Sequence, residues 1–134
     1  MRLLAITAFY PPCHSGGYEL RCKDVLKGLK QRGHEVVLLT TRCQDADSLS
    51  QHDEIDVHRI LYQRLENTRL FRRIYNDYRD LKYIDCLVKI YNPDLIYLWH
   101  VQNLSNATLP YFSKQNIPIV YDEGGSGIAY LTRI

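Results

Sequence analysis

Gly16 and Gly17 form the first of two groups of residues that could bind a ligand or take part in a reaction. They follow Tyr10 and two prolines and precede a helical pattern, so they would lie at the amino end of a helix. Without β-carbons they let a ligand approach the backbone, and the free N–H groups and dipole of the helix suit a phosphate or another anion. On pattern alone, a glycine turn without a ligand is the commoner explanation. Neither Gly-x-Gly-x-x-Gly nor Gly-Lys-Ser/Thr occurs, so a dinucleotide fingerprint and a Walker loop are excluded.

His100 heads the second group, at the end of the apolar run 95–99. Its imidazole can donate a hydrogen bond to a sugar hydroxyl or respond to nearby charge. Gln102 and Asn103 follow, and their amides match hydroxyl groups as donors and as acceptors. A histidine that merely closes a strand end by bonding to backbone explains His100 equally well before further argument.

Alternating apolar runs and helical patterns predict repeated βαβ units around a parallel sheet. Gly33 is placed to end the first helix in a left-handed conformation. The third strand alternates imperfectly, which is typical of a sheet edge. The predicted strands span residues 3–8, 35–41, 55–62, 95–99 and 117–121, the helices span 17–32, 65–91 (one helix or two) and 105–114, and the loops include 42–54 and 122–127.

Helical periodicity also assigns faces to the two longer helices. In the first helix, Glu19 and Lys23 are spaced i,i+4 and are expected on the exposed side. The apolar face of that helix comprises Tyr18, Cys22, Val25, Leu26 and Leu29. In the second, apolar positions recur at Phe71, Ile74, Tyr75, Tyr78, Leu81, Ile84, Val88 and Tyr91.

The doubly wound order 3-2-1-4-5 would bring the two groups together. In that order the connections reverse between strands one and four, and ligands bind where the carboxyl ends of those strands open a crevice. Residues 9–17 would line one side of the crevice and residues 100–106 the other. Asp122, which follows the fifth strand, is a further candidate at this edge, with solvation of its loop as the simpler explanation.

Composition indicates an ordinary globular domain and excludes several classes of protein. The chain has 134 residues, enough for one domain, with 46% hydrophobic and 24% charged residues. A net charge of +2 is too small to indicate nucleic-acid binding, and no apolar run approaches the roughly 18 residues of a membrane span. The apolar start is broken by prolines and lacks a cleavage site, so we expect a cytoplasmic protein. The four cysteines (Cys13, Cys22, Cys43 and Cys86) lack zinc-site spacing and are expected to be free thiols.

Basic residues are concentrated in the third strand and the helix after it. A basic, aromatic, amphipathic helix can lie on an anionic membrane surface. Such charges more often form a solvated face, and Asp77 and Asp80 interrupt this one, so we prefer a solvated face to peripheral membrane contact. The basic residues are Arg59, Arg64, Arg69, Arg72, Arg73, Arg79 and Lys82.

Four segments of the sequence follow one another in a distinctive order. They are Phe9-Tyr10-Pro11-Pro12, Ser15-Gly16-Gly17-Tyr18-Glu19, Arg32-Gly33-His34-Glu35-Val36 and Asn92-Pro93-Asp94 through His100. Together they resemble the amino-terminal half of family-4 GT-B glycosyltransferases. In that family a strand is followed by Pro-x-x-Gly-Gly, a helix, and Arg-Gly-His-x-Val before strand two, and the segment of the fourth strand runs from Pro-Asp to a terminal histidine.

This resemblance implies a Rossmann-like, three-layer α/β/α domain and a role for each candidate residue. Gly16 and Gly17, with Tyr18, would approach the diphosphate of a nucleotide-sugar donor, and His100 would face the transferred sugar as the catalytic residue. The family typically needs no metal or other cofactor and retains the anomeric configuration. Family members often have a histidine where this chain has Asp122, so acceptor contacts there do not transfer directly. The residues expected to contact substrate are Tyr10, Gln102, Asn103 and Asp122.

Enzymes of this family have a second, carboxyl-terminal domain that binds the donor nucleotide. Within residues 1–134 we expect the acceptor-side domain alone, with the donor-binding domain absent and the chain catalytically silent. Two other interpretations stay open at this stage. One is a stand-alone α/β module that binds an anion or a protein partner, and the other is half of a GT-B-type sugar epimerase.

Overall fold

A computed structural model describes residues 1–14, 16–43, 54–122 and 124. Along the chain, strands and helices alternate as expected for βαβ units. Of the predicted loops, residues 44–53 of the first and most of 122–127 lie outside the described residues. The elements are β1 (Arg2–Ile6), α1 (Gly17–Gln31), β2 (Glu35–Thr41), β3 (Asp56–Leu61), α2 (Leu70–Tyr91), β4 (Leu95–Leu98), α3 (Thr108–Ser113) and β5 (Ile119–Tyr121).

All five strands are parallel, in the order β3-β2-β1-β4-β5. Leu4 at the centre of β1 pairs with Val37 on one side and Ile96 on the other. The predicted order is therefore confirmed, with β3 at one edge. Because β1 connects to β2 on one side and the chain returns to β4 on the other, the carboxyl ends of β1 and β4 form the switch point.

Side chains from the central strands alternate between two apolar layers, as the period of a strand requires. Leu3 and Leu38 point to the layer of α1, where they pack with Leu26. Leu4 and Leu39 point to the opposite layer, which α2 and α3 cover. The residues that α2 and α3 contribute to that layer include Ile84, Val88 and Phe112. The architecture is thus the predicted three-layer α/β/α sandwich.

Glycine and asparagine end the two long helices. Gly33 follows α1 with φ of 89°, and Asn92 follows α2 with φ of 47°. Few residues besides glycine and asparagine adopt such left-handed conformations at low cost. The prediction for Gly33 is confirmed, and α2 is one continuous helix of 22 residues. No helix in the described part of the chain is long and apolar enough to cross a bilayer.

The apolar period of α2 faces two different environments. Ile84 and Val88 are buried against the sheet. Phe71, Ile74 and Tyr75 in the amino-terminal half are exposed, Phe71 to 87%. The regular spacing that the sequence shows across the whole helix therefore contributes to the core only in the carboxyl-terminal half.

Asp80 is a buried carboxyl group on the inner face of α2. Its Oδ2 accepts a hydrogen bond from the backbone N–H of Tyr62 at 2.9 Å, and Arg79 Nη2 lies 4.0 Å from Oδ1. Burial raises the pKa of Asp80 to about 6, against the smaller lowering effects of that hydrogen bond and Arg79. The side chain therefore holds its proton more tightly when folded than when unfolded, where the pKa of aspartate is about 3.9.

Replacing Asp80 with asparagine should remove a pH dependence of stability. Because the folded pKa is raised, Asp80 favours folding below about pH 4, and that contribution is lost as pH rises through about 6. Asp80→Asn keeps an acceptor for Tyr62 without the charge. It should be more stable than the parent at neutral pH by about 1 kcal/mol, after allowance for screening, and should lose this advantage near pH 4. Urea unfolding across this pH range, with Asp77→Asn as control, measures it. A difference that is independent of pH would contradict the assignment.

Candidate functional site

The carboxyl ends of β1 and β4 meet as the topology requires. The backbone N–H of Ala8 donates to the carbonyl oxygen of His100 at 2.5 Å. The ring of Phe9 lies edge-on to the imidazole of His100, with 5.3 Å between ring centroids. The loop after β1 and the loop after β4 therefore line one groove at the switch point.

α1 begins in this groove at Gly17, with Gly16 as the preceding cap residue. Glycine suits the cap because Gly16 has no side chain to compete for the first-turn N–H groups. Its own N–H donates to Glu19 Oε2 at 3.0 Å. A β-carbon built on Gly17 would meet no atom within 4 Å, so open space adjoins the helix start. First-turn N–H groups lack partners within a helix, which gives this end of α1 an attraction for anions.

Glu19 connects the helix start to His100. Its Oε1 lies 3.3 Å from His100 Nδ1, while Oε2 accepts the Gly16 bond. The residue is only 3% exposed, so the prediction that Glu19 lies on the exposed side of α1 is wrong. Its side chain points toward the start of α1, because the Gly16 N–H and His100 both lie at that end of the helix. Sequence reasoning missed Glu19 as a residue of this groove, although its spacing from Gly16 is that of a capping box.

The Glu19 carboxylate also controls the orientation of the imidazole. A carboxylate at Nδ1 favours the tautomer that carries its proton on that nitrogen. Nε2 is then the ring nitrogen left to interact with another molecule. His100 is half-buried, and the ring of Tyr18 lies 6.2 Å from it, centroid to centroid.

Tyr18 and Asp122 form the wall of the groove beside β4. The Tyr18 hydroxyl donates to the backbone carbonyl of Asp122, and its ring packs against Gly124. Burial, the largest effect, raises the pKa of Tyr18 to about 12. The Asp122 carboxylate pairs with Arg21, whose guanidinium lies 5.4 Å from the centre of the Tyr18 ring. Asp122 and Arg21 thus join the end of the sheet to α1.

Three other candidates lie apart from this cluster. Tyr10 is 2% exposed and packs in the layer beneath the loop, so substrate contact would require the loop to move. Gln102 and Asn103 line a separate cavity of about 350 Å³ with Arg64 and Arg73. The structure therefore brings together Gly16, Gly17, Tyr18, His100 and Asp122, and separates Tyr10, Gln102 and Asn103 from them.

A disulfide holds the loop in front of the groove. Cys13 in that loop is bonded to Cys43 after β2, with 6.2 Å between their Cα atoms. The prediction of free thiols is wrong for these two, because the fold brings residues 30 positions apart to the same edge of the sheet. Cys22 and Cys86 are free, and burial raises the pKa of the Cys22 thiol.

Comparison with solved structures identifies the class of fold. MurG of Acinetobacter baumannii has a TM-score of 0.60 at 18% identity, over 99% of this chain and 39% of that chain. The C-terminal domain of the PF1911 hydrogenase from Pyrococcus furiosus has a TM-score of 0.62 at 15% identity, over 91% of this chain and 90% of that chain. UDP-GlcNAc 2-epimerase from Neisseria meningitidis, bound to UDP-GlcNAc, has a TM-score of 0.57 at 18% identity, over 93% of this chain and 32% of that chain. Such low identities show the fold alone, which is that of the amino-terminal half of a GT-B protein.

The sequence itself identifies the family. The model of Glycosyltransferase Family 4 matches residues 15–122, and this chain belongs to that family. No curated protein matches the sequence significantly. The chain spans 39% of the MurG chain and 32% of the epimerase chain, which is about one third of the length of each.

Removing the Glu19 carboxylate should loosen the start of α1. Glu19→Ala leaves the Gly16 N–H and His100 Nδ1 without their buried partner, which costs about 1–3 kcal/mol of stability. Glu19→Gln keeps an acceptor of the same shape and should cost less. Asp24→Ala, on the exposed side of the same helix, should change stability by no more than about 0.5 kcal/mol. Urea denaturation provides the comparison, and equal losses for Glu19→Ala and Asp24→Ala would refute the structural role of Glu19.

Proposed function

We propose that this chain is the acceptor-side domain of a glycosyltransferase that moves a sugar from a nucleotide-sugar donor to an acceptor. The observation that carries the proposal is the contact of Glu19 with both Gly16 and His100 at the switch point. This chain belongs to Glycosyltransferase Family 4, and its Glu19 contact joins a helix start that attracts anions to an imidazole at a strand end. The UDP-GlcNAc in the similar epimerase structure supports a nucleotide-sugar as the donor.

The donor diphosphate would lie against the first turn of α1. The Gly16 N–H is already bonded to Glu19, so the N–H groups of Gly17 and Tyr18 would meet the phosphate oxygens. The open space beside Gly17 leaves room for that approach. Tyr18, held by its hydroxyl against Asp122, would form the side of the donor site.

His100 would act on the sugar through Nε2. With Nδ1 bound to Glu19, Nε2 can exchange a hydrogen bond with a hydroxyl of the transferred sugar and hold the ring for reaction. The acceptor would enter from the side of Gln102 and Asn103, whose amides suit hydroxyl groups. Transfer with retained configuration and without a metal is the family pattern that we adopt here.

The departing nucleotide diphosphate needs positive charge for stabilisation in the transition state. In our proposal a carboxyl-terminal donor-binding domain supplies that charge and the nucleotide pocket. The 134-residue chain alone should therefore release no nucleotide from a nucleotide-sugar. The family match favours sugar transfer over the two alternatives, an anion- or partner-binding module and a sugar epimerase.

His100→Ala should disable sugar transfer in a two-domain protein that has this chain as its amino-terminal half. We expect the transfer rate to fall by about 10²-fold or more, because a group that positions the reacting sugar is lost, while the fold is kept. His34→Ala, in the turn at the far end of α1, is the matched control and should leave the rate unchanged. Product analysis by mass spectrometry distinguishes transfer from epimerisation. Unchanged transfer by His100→Ala, or an epimerised nucleotide-sugar as product, would refute the proposal.

A further inference from the structure

The amino-terminal half of α2 presents an apolar stripe to solvent. Phe71, Ile74, Tyr75 and Tyr78 follow the spacing i, i+3, i+4, i+7, which places them on one side of the helix. All four are exposed, from 56% for Ile74 to 87% for Phe71. The buried apolar residues Ile84 and Val88 lie further along α2, outside this stripe. None of the four belongs to the apolar layers formed by the described residues.

Neighbouring residues enlarge the stripe at its amino end. Leu65 and Leu70, just before and at the start of α2, are exposed to 57% and 66%. Apolar side chains scattered singly on a surface need no explanation, but six exposed large apolar residues within 14 positions form a patch that indicates an interaction site.

Positive charge surrounds this patch. Between residues 64 and 82 there are six basic and three acidic residues, and one of the acidic three, Asp80, is buried on the inner side of the helix. Arg69 and Arg72 are exposed beside the stripe, and the Lys82 ammonium lies 5.2 Å from the centre of the Tyr78 ring at its far end. Aromatic and aliphatic side chains among arginines and lysines are typical of helices that lie in the interface of an anionic bilayer.

We propose that the amino-terminal half of α2 docks this protein on an anionic lipid bilayer. The stripe would enter the boundary between headgroups and acyl chains, with the basic residues against lipid phosphates. Charge argues against a second copy as the occupant, because a two-fold interface through this patch would place Arg69 and Arg72 of both copies close together. The sequence alone favoured a solvated face, since the exposure of Phe71 and Ile74 follows only from how α2 lies on the sheet.

The docked orientation would turn the candidate site toward the membrane. α2 begins after the carboxyl end of β3, at the same edge of the sheet as the groove. The cavity lined by Arg64, Arg73, Gln102 and Asn103 lies between the start of α2 and the loop after β4. Arg64 Nη1 is buried there without a hydrogen-bond partner among the described residues, and the Arg64 backbone N–H donates to the Asn103 carbonyl at 2.8 Å. A lipid phosphate at the bilayer surface would meet this guanidinium.

Co-sedimentation of the 134-residue chain with vesicles tests the proposal. We expect binding to phosphatidylcholine vesicles that contain phosphatidylglycerol, much weaker binding to phosphatidylcholine alone, and weakening as salt rises above about 0.1 M. Phe71→Asp with Ile74→Asp should lower the partition coefficient at least about tenfold, since two apolar side chains no longer enter the interface. Ile90→Asp, at an equally exposed apolar position (78%) near the other end of α2, should change it less than about twofold.

Circular dichroism of each variant confirms that the fold is kept, as the exposure of all three positions leads us to expect. Failure to sediment with anionic vesicles would overturn the proposal. So would equal binding to neutral vesicles, or an equal loss of binding in Ile90→Asp. Sedimentation velocity without vesicles tests a second copy as the occupant: a dimer that Phe71→Asp with Ile74→Asp dissociates would make the stripe an interface between copies and overturn the proposal.

Discussion

The buried carboxylate of Glu19 holds the groove together. One of its oxygens accepts the N–H of Gly16 and the other lies against His100, so a single side chain determines both where α1 begins and how the imidazole is held. A buried carboxylate is costly to desolvate unless it is bonded, and here both oxygens have partners at the site itself. Any movement of the loop before α1 would therefore be transmitted to His100. The chemistry that we propose depends on this coupling.

The sheet provides the frame for that contact. β1 and β4 lie side by side at the switch point, and the bond from Ala8 to the His100 carbonyl fixes the ends of the two strands against each other. On the far side of β4, Asp122 contacts Tyr18 and Arg21 and so ties the end of β5 to the same helix. The groove is thus bounded by three strand ends and one helix start, and each of these is held by a polar contact.

Much of this frame follows from the sequence, because it depends on local patterns. Continuous apolar runs predict the buried parallel strands, and the glycine at position 33 predicts the end of α1 through its positive φ. The contacts across the groove could not be predicted in this way. Glu19 is spaced i,i+4 from Lys23, a pairing typical of exposed helix positions. Only the orientation of α1 against the sheet shows that Glu19 is buried. Arg21 and Asp122 are 101 residues apart, and the Cys13–Cys43 bond likewise depends on the completed fold. The fold alone also occurs in the PF1911 hydrogenase domain, so function must be argued from the groove.

The most direct test of the groove is a chemical-shift map of the 134-residue chain titrated with UDP-GlcNAc, with inorganic pyrophosphate in parallel. A domain that carries only one side of the donor site should bind the nucleotide-sugar weakly, with a dissociation constant on the order of 1 mM or above. With UDP-GlcNAc we expect the resonances of the Gly17 and Tyr18 backbone amides and of the His100 ring to shift together, whereas pyrophosphate should reproduce only the shifts of the amides. Shifts confined to another surface, or an unresponsive His100 ring while the amides of α1 respond, would contradict it.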